Sequence, residues 1–196
     1  MNLDYWRHYL RARVLEKLKR PAQALAAYRD ALAHDPRSGQ LHRTIAYLCV
    51  QLKRDAEAET QFLTALQFEP GNGATWFNLG FLYDQQHQTD KAIEAFREAV
   101  RLDPKLDRAW FGFGLCLARR GDHADAANAL QRVTQLDPMN GHAWYQLGMA
   151  SHALGQAVRV KEIVEHLNRF DRKMTRRLIR DTGRGDLEHL IADLQI

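Results

Sequence analysis

The sequence predicts an all-α fold, a solenoid of stacked helical hairpins, on three observations. Pro36, Pro70, Pro104 and Pro138 stand 34 residues apart, three of them after an Asp and Pro70 after Glu69. Each interval holds two stretches whose apolar residues fall at i, i+3, i+4 and i+7, the period of an amphipathic helix. Small residues recur at one place in the first stretch (Ala12, Ala46, Gly80, Gly114, Gly148) and in the second (Ala24, Ala58, Ala92, Ala126), which lets two helix backbones approach closely.

The prolines divide the chain into units 5–38, 39–72, 73–106 and 107–140, followed by a divergent unit 141–174 and a tail 175–196. In the third unit Trp76, Leu79, Gly80 and Tyr83 mark one helix and Ala92, Ile93, Phe96, Ala99 and Val100 the next. Proline disfavours helical geometry in the residue before it, so each second helix ends there. Ser38, Asn72, Asp107 and Asn140 are suited to cap the helix that follows. Pro21 suits a first helical position, and Gly121-Asp122 and Gly155 supply a stop and a turn inside their pairs. A lone hairpin cannot bury its apolar face, so the units stack and the core runs along the array. Past the fifth unit, Phe170, Met174 and Leu178, then Leu187, Leu190, Ile191 and Leu194 beyond the break Thr182-Gly183-Arg184-Gly185, read as helices that cap the last repeat.

The pattern Trp76-x-x-Leu79-Gly80-x-x-Tyr83, Ala92-x-x-x-Phe96, Pro104 resembles the consensus of the tetratricopeptide repeat family. The same places hold Trp110, Phe113, Gly114, Leu117, Ala126, Leu130 and Pro138 in the fourth unit, and His42, Ile45, Ala46, Cys49, Ala58, Phe62 and Pro70 in the second. The first unit departs in its opening helix, with His8 and Arg11 for Trp and Leu, and the fifth has Arg172 in place of proline. The resemblance covers about residues 5–170 and implies a right-handed α-solenoid with a concave wall that binds partner peptides.

Composition agrees with a globular chain of 196 residues, 45% apolar and 27% charged. No apolar run reaches the roughly 20 residues of a membrane-spanning helix, and the first residues lack the apolar core of a signal peptide, so a cytoplasmic location is expected. Cys49 and Cys116 sit inside apolar helical patterns and read as buried small side chains. The nine histidines form no zinc-binding spacing. Gly71-Asn72-Gly73 and Gly112-Phe113-Gly114 complete no phosphate loop. The expectation is therefore a protein that is not an enzyme and needs no metal or cofactor.

Two surfaces are candidates. The resemblance implies that first-helix residues line the concave wall, and carried over residue by residue this gives Arg43, Tyr47, Phe77, Asn78, Phe81, Arg108, Phe111 and Tyr145. Arg43, Asn78 and Arg108 match three of the five residues with which chaperone-binding members clamp a terminal carboxylate. Tyr47 stands in place of an Asn and Gly112 in place of a second cation, so the clamp is incomplete. Arg and Asn still suit an acidic or C-terminal group on a peptide. The other surface is basic. Residues 169–184 carry seven Lys or Arg against two acids, while 185–196 carry none against three. Arg169, Arg172, Lys173, Arg176, Arg177 and Arg180 share one side of a helix opposite Phe170, Met174 and Leu178, a face able to meet nucleic acid or another anionic surface. The reading is a scaffold that binds a protein or peptide partner. The alternatives are an adaptor for nucleic acid or an anionic surface through residues 169–184, and a homo-oligomer.

Overall fold

The computed structural model describes residues 3–194. Among them all regular structure is helical. The chain forms two compact units, one ending at Gln86 and the other beginning at His87. In the first, α1 (Leu3–Lys17) packs on α2 (Pro21–His34) and α3 (Gly39–Gln51) on α4 (Asp55–Phe68). These hairpins stack through α2 against α3, and α5 (Gly73–Gln85) lies on α4. The second holds α6 (Thr89–Leu102), α7 (Asp107–Arg120), α8 (His123–Leu136), α9 (Gly141–Ala153), α10 (Ala157–Leu167) and α11 (Arg172–Asp181). There α7 pairs with α8 and α9 with α10, α6 lies on α7, and α8 lies on α9.

The small residues do what their periodicity implies. Ala12, Ala24, Ala46 and Ala58 are fully buried in the first unit, and Ala92 and Ala126 in the second. A Cβ added at Gly114 would lie 2.8 Å from Leu130 Cγ, so only hydrogen fits at that approach. Tyr28 and Phe62 are the large buried side chains of one unit, Phe96 and Leu130 of the other. Cys49 and Cys116 are both buried and form no disulfide.

The tail caps the array's last hairpin as expected. Helix α11 lies on α9 and α10, burying Met174, Thr175, Leu178 and Ile179. A 3-10 segment, Gly185–Leu194, rests on α10 and α11 with Leu187 buried. The side chain of Leu194, the last residue of the expected stripe, lies outside the described residues. Helix α11 begins at Arg172, where earlier repeats carry proline, and Asp171 caps it by accepting from the Met174 N–H at 3.0 Å.

Ser38, Asn72 and Asn140 accept from the N–H three residues on, at 3.3, 2.9 and 3.0 Å. Asp107 does not. It is the first residue inside α7, and Leu106 occupies the cap position without a side-chain bond. In the preceding turn the Asp103 carboxylate accepts from the Lys105 N–H at 3.0 Å, as Asp137 does from the Met139 N–H at 3.3 Å. Asp107 instead places its charge in the first turn, where the helix dipole favours it.

Each hairpin turn places one residue in the left-handed region, and these positions recur every 34 residues: Lys19, Lys53, His87, Gly121 and Gly155, with φ of 55°, 59°, 58°, 97° and 70°. Side chains disfavour that region by about 1–2 kcal/mol, part of which glycine loses again through unfolded-state entropy. Lys53→Gly is therefore expected to stabilise the first unit by about 0.5–1 kcal/mol in urea melts. Gly121→Ala is expected to destabilise the second.

Burial, and then the neighbouring Glu57 carboxylate, push the Cys49 thiol up to about 11. Tyr28 and Tyr83 are raised by burial and by donating to Glu16 and Glu59. These groups stay neutral in the folded chain at a pH where the unfolded chain ionises. Their contribution is complete below about pH 8.5 and is lost as pH rises toward 11 and beyond. Denaturation midpoints should hold to about pH 8.5 and then fall, with Cys49→Ala flattening the decline and native Cys49 resisting maleimide at pH near 8.

Candidate functional site

One hydrogen bond repeats with the array and fixes its first helices. The Trp76, Trp110 and Trp144 indole N–H groups donate to the carbonyls of Pro70, Pro104 and Pro138 at 3.2, 3.0 and 2.9 Å. In the second repeat His42 does the same job, its Nε2 lying 3.0 Å from the Pro36 carbonyl. A carbonyl only accepts, so Nε2 donates here, and Nδ1 lies 2.7 Å from the Gln61 Oε1. This latch ties each tight turn to the following helix and sets the rotation at which its other faces emerge.

In the first unit that rotation brings three expected residues together. Arg43, Tyr47 and Asn78 line a cleft of about 370 Å³ whose other wall includes Tyr9 and Arg13 of α1. Tyr47 is 52% exposed. Phe77 and Phe81 lie outside the cleft lining and stack on each other at 6.5 Å, with Phe81 46% exposed. Arg43 is already engaged, donating to the Glu69 carboxylate, which also accepts from Asn72 Nδ2 at 3.5 Å. Opposite it, Arg13 donates to the Tyr9 hydroxyl at 3.3 Å. The cleft thus combines an aromatic rim with two guanidinium groups, an amide and the Glu16 carboxylate, 3.9 Å from Arg13.

The other three expected residues lie in the second unit, where their surroundings differ. Arg108 is exposed and Phe111 half-buried on α7. Tyr145 is only 7% exposed, because α11 covers it. Its hydroxyl donates to Asp181 at 2.8 Å, and the Arg177 guanidinium sits 4.6 Å from the ring centroid. The Asp181 carboxyl is lowered, first by the Tyr145 hydrogen bond and then by Arg180. Tyr145 therefore seals the cap and does not stand free as a wall residue. Gly112 has a steric cause. A Cβ there would meet the buried Phe96 ring at 2.6 Å, so no cation can take the place without displacing Phe96.

Arg169, Arg172, Lys173, Arg176, Arg177 and Arg180 are all exposed, and those on α11 stand opposite its buried face. Arg177 and Arg180 share the Asp181 carboxylate. Among the described residues, no group of three His, Cys, Asp or Glu side chains could hold a metal ion. No helix among them is long and apolar enough to cross a membrane.

The sequence matches two models of the tetratricopeptide repeat, one over residues 77–138 and another over 15–79 and 117–177. The chain belongs to the tetratricopeptide repeat family. Members of this family are typically non-catalytic scaffolds for protein–protein and peptide contacts, and that general role is the chain's as well. Among solved structures, MamA is similar at 16% identity, covering 95% of this chain and 98% of its own with a TM-score of 0.77. YrrB, described as a tetratricopeptide repeat protein with an unusual peptide-binding site, is 24% identical over 95% of this chain and 90% of its own, with a TM-score of 0.71. PilF of Pseudomonas aeruginosa is 18% identical over 96% and 92%, with a TM-score of 0.72. None of the curated proteins matches the sequence.

Proposed function

We propose that this tetratricopeptide repeat chain is an adaptor whose first unit grips an extended peptide of another protein in the cleft between α1, α3 and α5. The carrying observation is the convergence of Arg43, Tyr47 and Asn78 with Arg13 in one open cleft. Tyr47 offers contact area at low entropic cost, and the guanidinium groups can hold a carboxylate through paired hydrogen bonds. Phe77 and Phe81 extend the aromatic surface of α5, while Arg108 and Phe111 are candidate contacts of the second unit in their own right. The similarity to YrrB, whose published description names a peptide-binding site, supports the reading.

Peptides selected from a random displayed library on the wild-type chain are the direct test. Arg43→Ala with Tyr47→Ala should weaken them about tenfold or more with unchanged helical circular dichroism. Because Glu69 already occupies Arg43, Glu69→Gln should strengthen peptides that bear a terminal carboxylate. Equal affinity across these variants would remove the cleft from the reading.

A second reading rests on α11, whose exposed face carries Arg172, Lys173, Arg176, Arg177 and Arg180. An anionic polymer on this face would bind with a steep inverse dependence on salt. Absence of RNA and DNA binding at low salt would eliminate nucleic acid.

A further inference from the structure

The outer face of α1 is the least expected feature of the first unit. Leu3, Trp6, Leu10, Val14 and Leu18 are between 43% and 74% exposed. At 3.6 residues per turn they fall within an arc of about 120° and run about 22 Å along the helix. Leu18 extends the stripe because its N–H still bonds to the Val14 carbonyl. Trp6 is held edge-on by Tyr5 and Tyr9, at 5.4 and 5.8 Å. An apolar stripe exposed on a surface marks a contact site.

The register of the repeats says what kind of contact. Helices α3 and α5 each lie against the second helix of the preceding hairpin. The positions 34 and 68 residues beyond Arg7, Arg11 and Val14 are Leu41, Ile45 and Leu48, and Thr75, Leu79 and Leu82, all buried. On α1 the same slot is open, and arginine fills two of its three places. Arg11 and Arg13 flank this arc on opposite sides, and Arg7 and Lys17 fall just inside its two margins. Asp4 pairs with Arg7 at 3.4 Å, and Glu16, which accepts from the Tyr28 hydroxyl, lies 3.9 Å from Arg13, so each margin holds two cations against one acid. Both margins are left net positive. A second copy of α1 would set these cations against each other, and a helix with the chain's own apolar stacking face would bury two arginines with a single carboxylate, Asp4, beside them.

We propose that this face docks an amphipathic helix of a partner protein whose apolar stripe is edged by carboxylates, laid in the slot that a preceding hairpin's second helix fills elsewhere in the unit. It does not depend on the peptide cleft, which Arg43 and Tyr47 report separately. The probe is a helix-stapled peptide of matching length with a leucine stripe and glutamates on both margins, beside a twin with lysine for every glutamate. Both are titrated against the full chain by fluorescence anisotropy. The glutamate peptide should bind at least about tenfold more tightly than the lysine twin. Leu10→Ser with Val14→Ser should abolish binding at unchanged helical content, since both side chains are exposed. Arg7→Glu with Arg11→Glu should invert the preference toward the lysine twin. No binding of the glutamate peptide at ~1 mM, or equal binding of both peptides, would overturn the proposal. So would stripe-dependent binding to phosphatidylserine vesicles, which would give the face to a membrane. Stripe-dependent dimerisation in light scattering would likewise give it to a second copy and overturn it.

Discussion

Replacing Phe96 with alanine is expected to lower the stability of the second unit by about 3–5 kcal/mol, the range for truncating a buried aromatic ring. Phe96 is among the largest fully buried side chains, and its ring tip covers Gly112 of the neighbouring α7. Gly112→Ala alone overpacks that contact, at a cost of about 1–3 kcal/mol, partly offset by about 1 kcal/mol of better helix propensity. In the Phe96→Ala background the same methyl enters the vacated space and becomes stabilising. Urea denaturation of the two single variants and the double variant should give a coupling of more than about 1 kcal/mol. Additive effects would mean that the ring does not dictate the glycine.

The second large effect concerns the cap. A Cβ on Gly148 would lie 2.6 Å from Leu178 Cδ2, at the centre of the α11 docking surface. Leu178 is fully buried, so it has no free volume to retreat into. Gly148→Val should therefore lever α11 away from α9, raising amide exchange across residues 172–181 at least tenfold, a loss of about 1.4 kcal/mol of local protection. Amides of α7 and α8 should keep their rates. Release would also uncover Tyr145, visible as quickened tyrosine modification and as an Asp181 carboxyl that returns toward its ordinary range. An α11 that stays protected would show that its docking does not run through the Gly148–Leu178 contact.

What the sequence made legible was whatever is local and periodic. Prolines at a constant interval, Trp76, Trp110 and Trp144 and the capping residues Ser38, Asn72 and Asn140 are read within one repeat, and the structure places each in its role. Asp107 shows the limit even there. The cap place, 34 residues beyond Asn72, falls on Leu106, which leaves the next acid inside the helix. The candidate site was harder, because exposure and pairing are set by residues far along the chain. Arg43 meets Glu69, 26 positions away, and Tyr145 meets Asp181, 36 away. Neither distance has a signature in a helical period. The left-handed turn at Lys19, Lys53 and His87 is signalled only by Gly121 and Gly155 at the same register, since lysine and histidine do not themselves mark it. The apolar edge of α1 could be read as a stripe, but only the absence of a covering helix turns a stripe into a surface.

The proline latch has a consequence for ancestry. Because the Pro carbonyl asks only for an N–H at a given reach, imidazole and indole are interchangeable beneath it. A lineage can drift from one ring to the other while the hook stays fastened at every generation. Requirements of this kind are counted in donors and reach, and letters of the alphabet are a poor ledger of them. MamA shares the fold over nearly the whole length of both chains while only 16% of their residues agree.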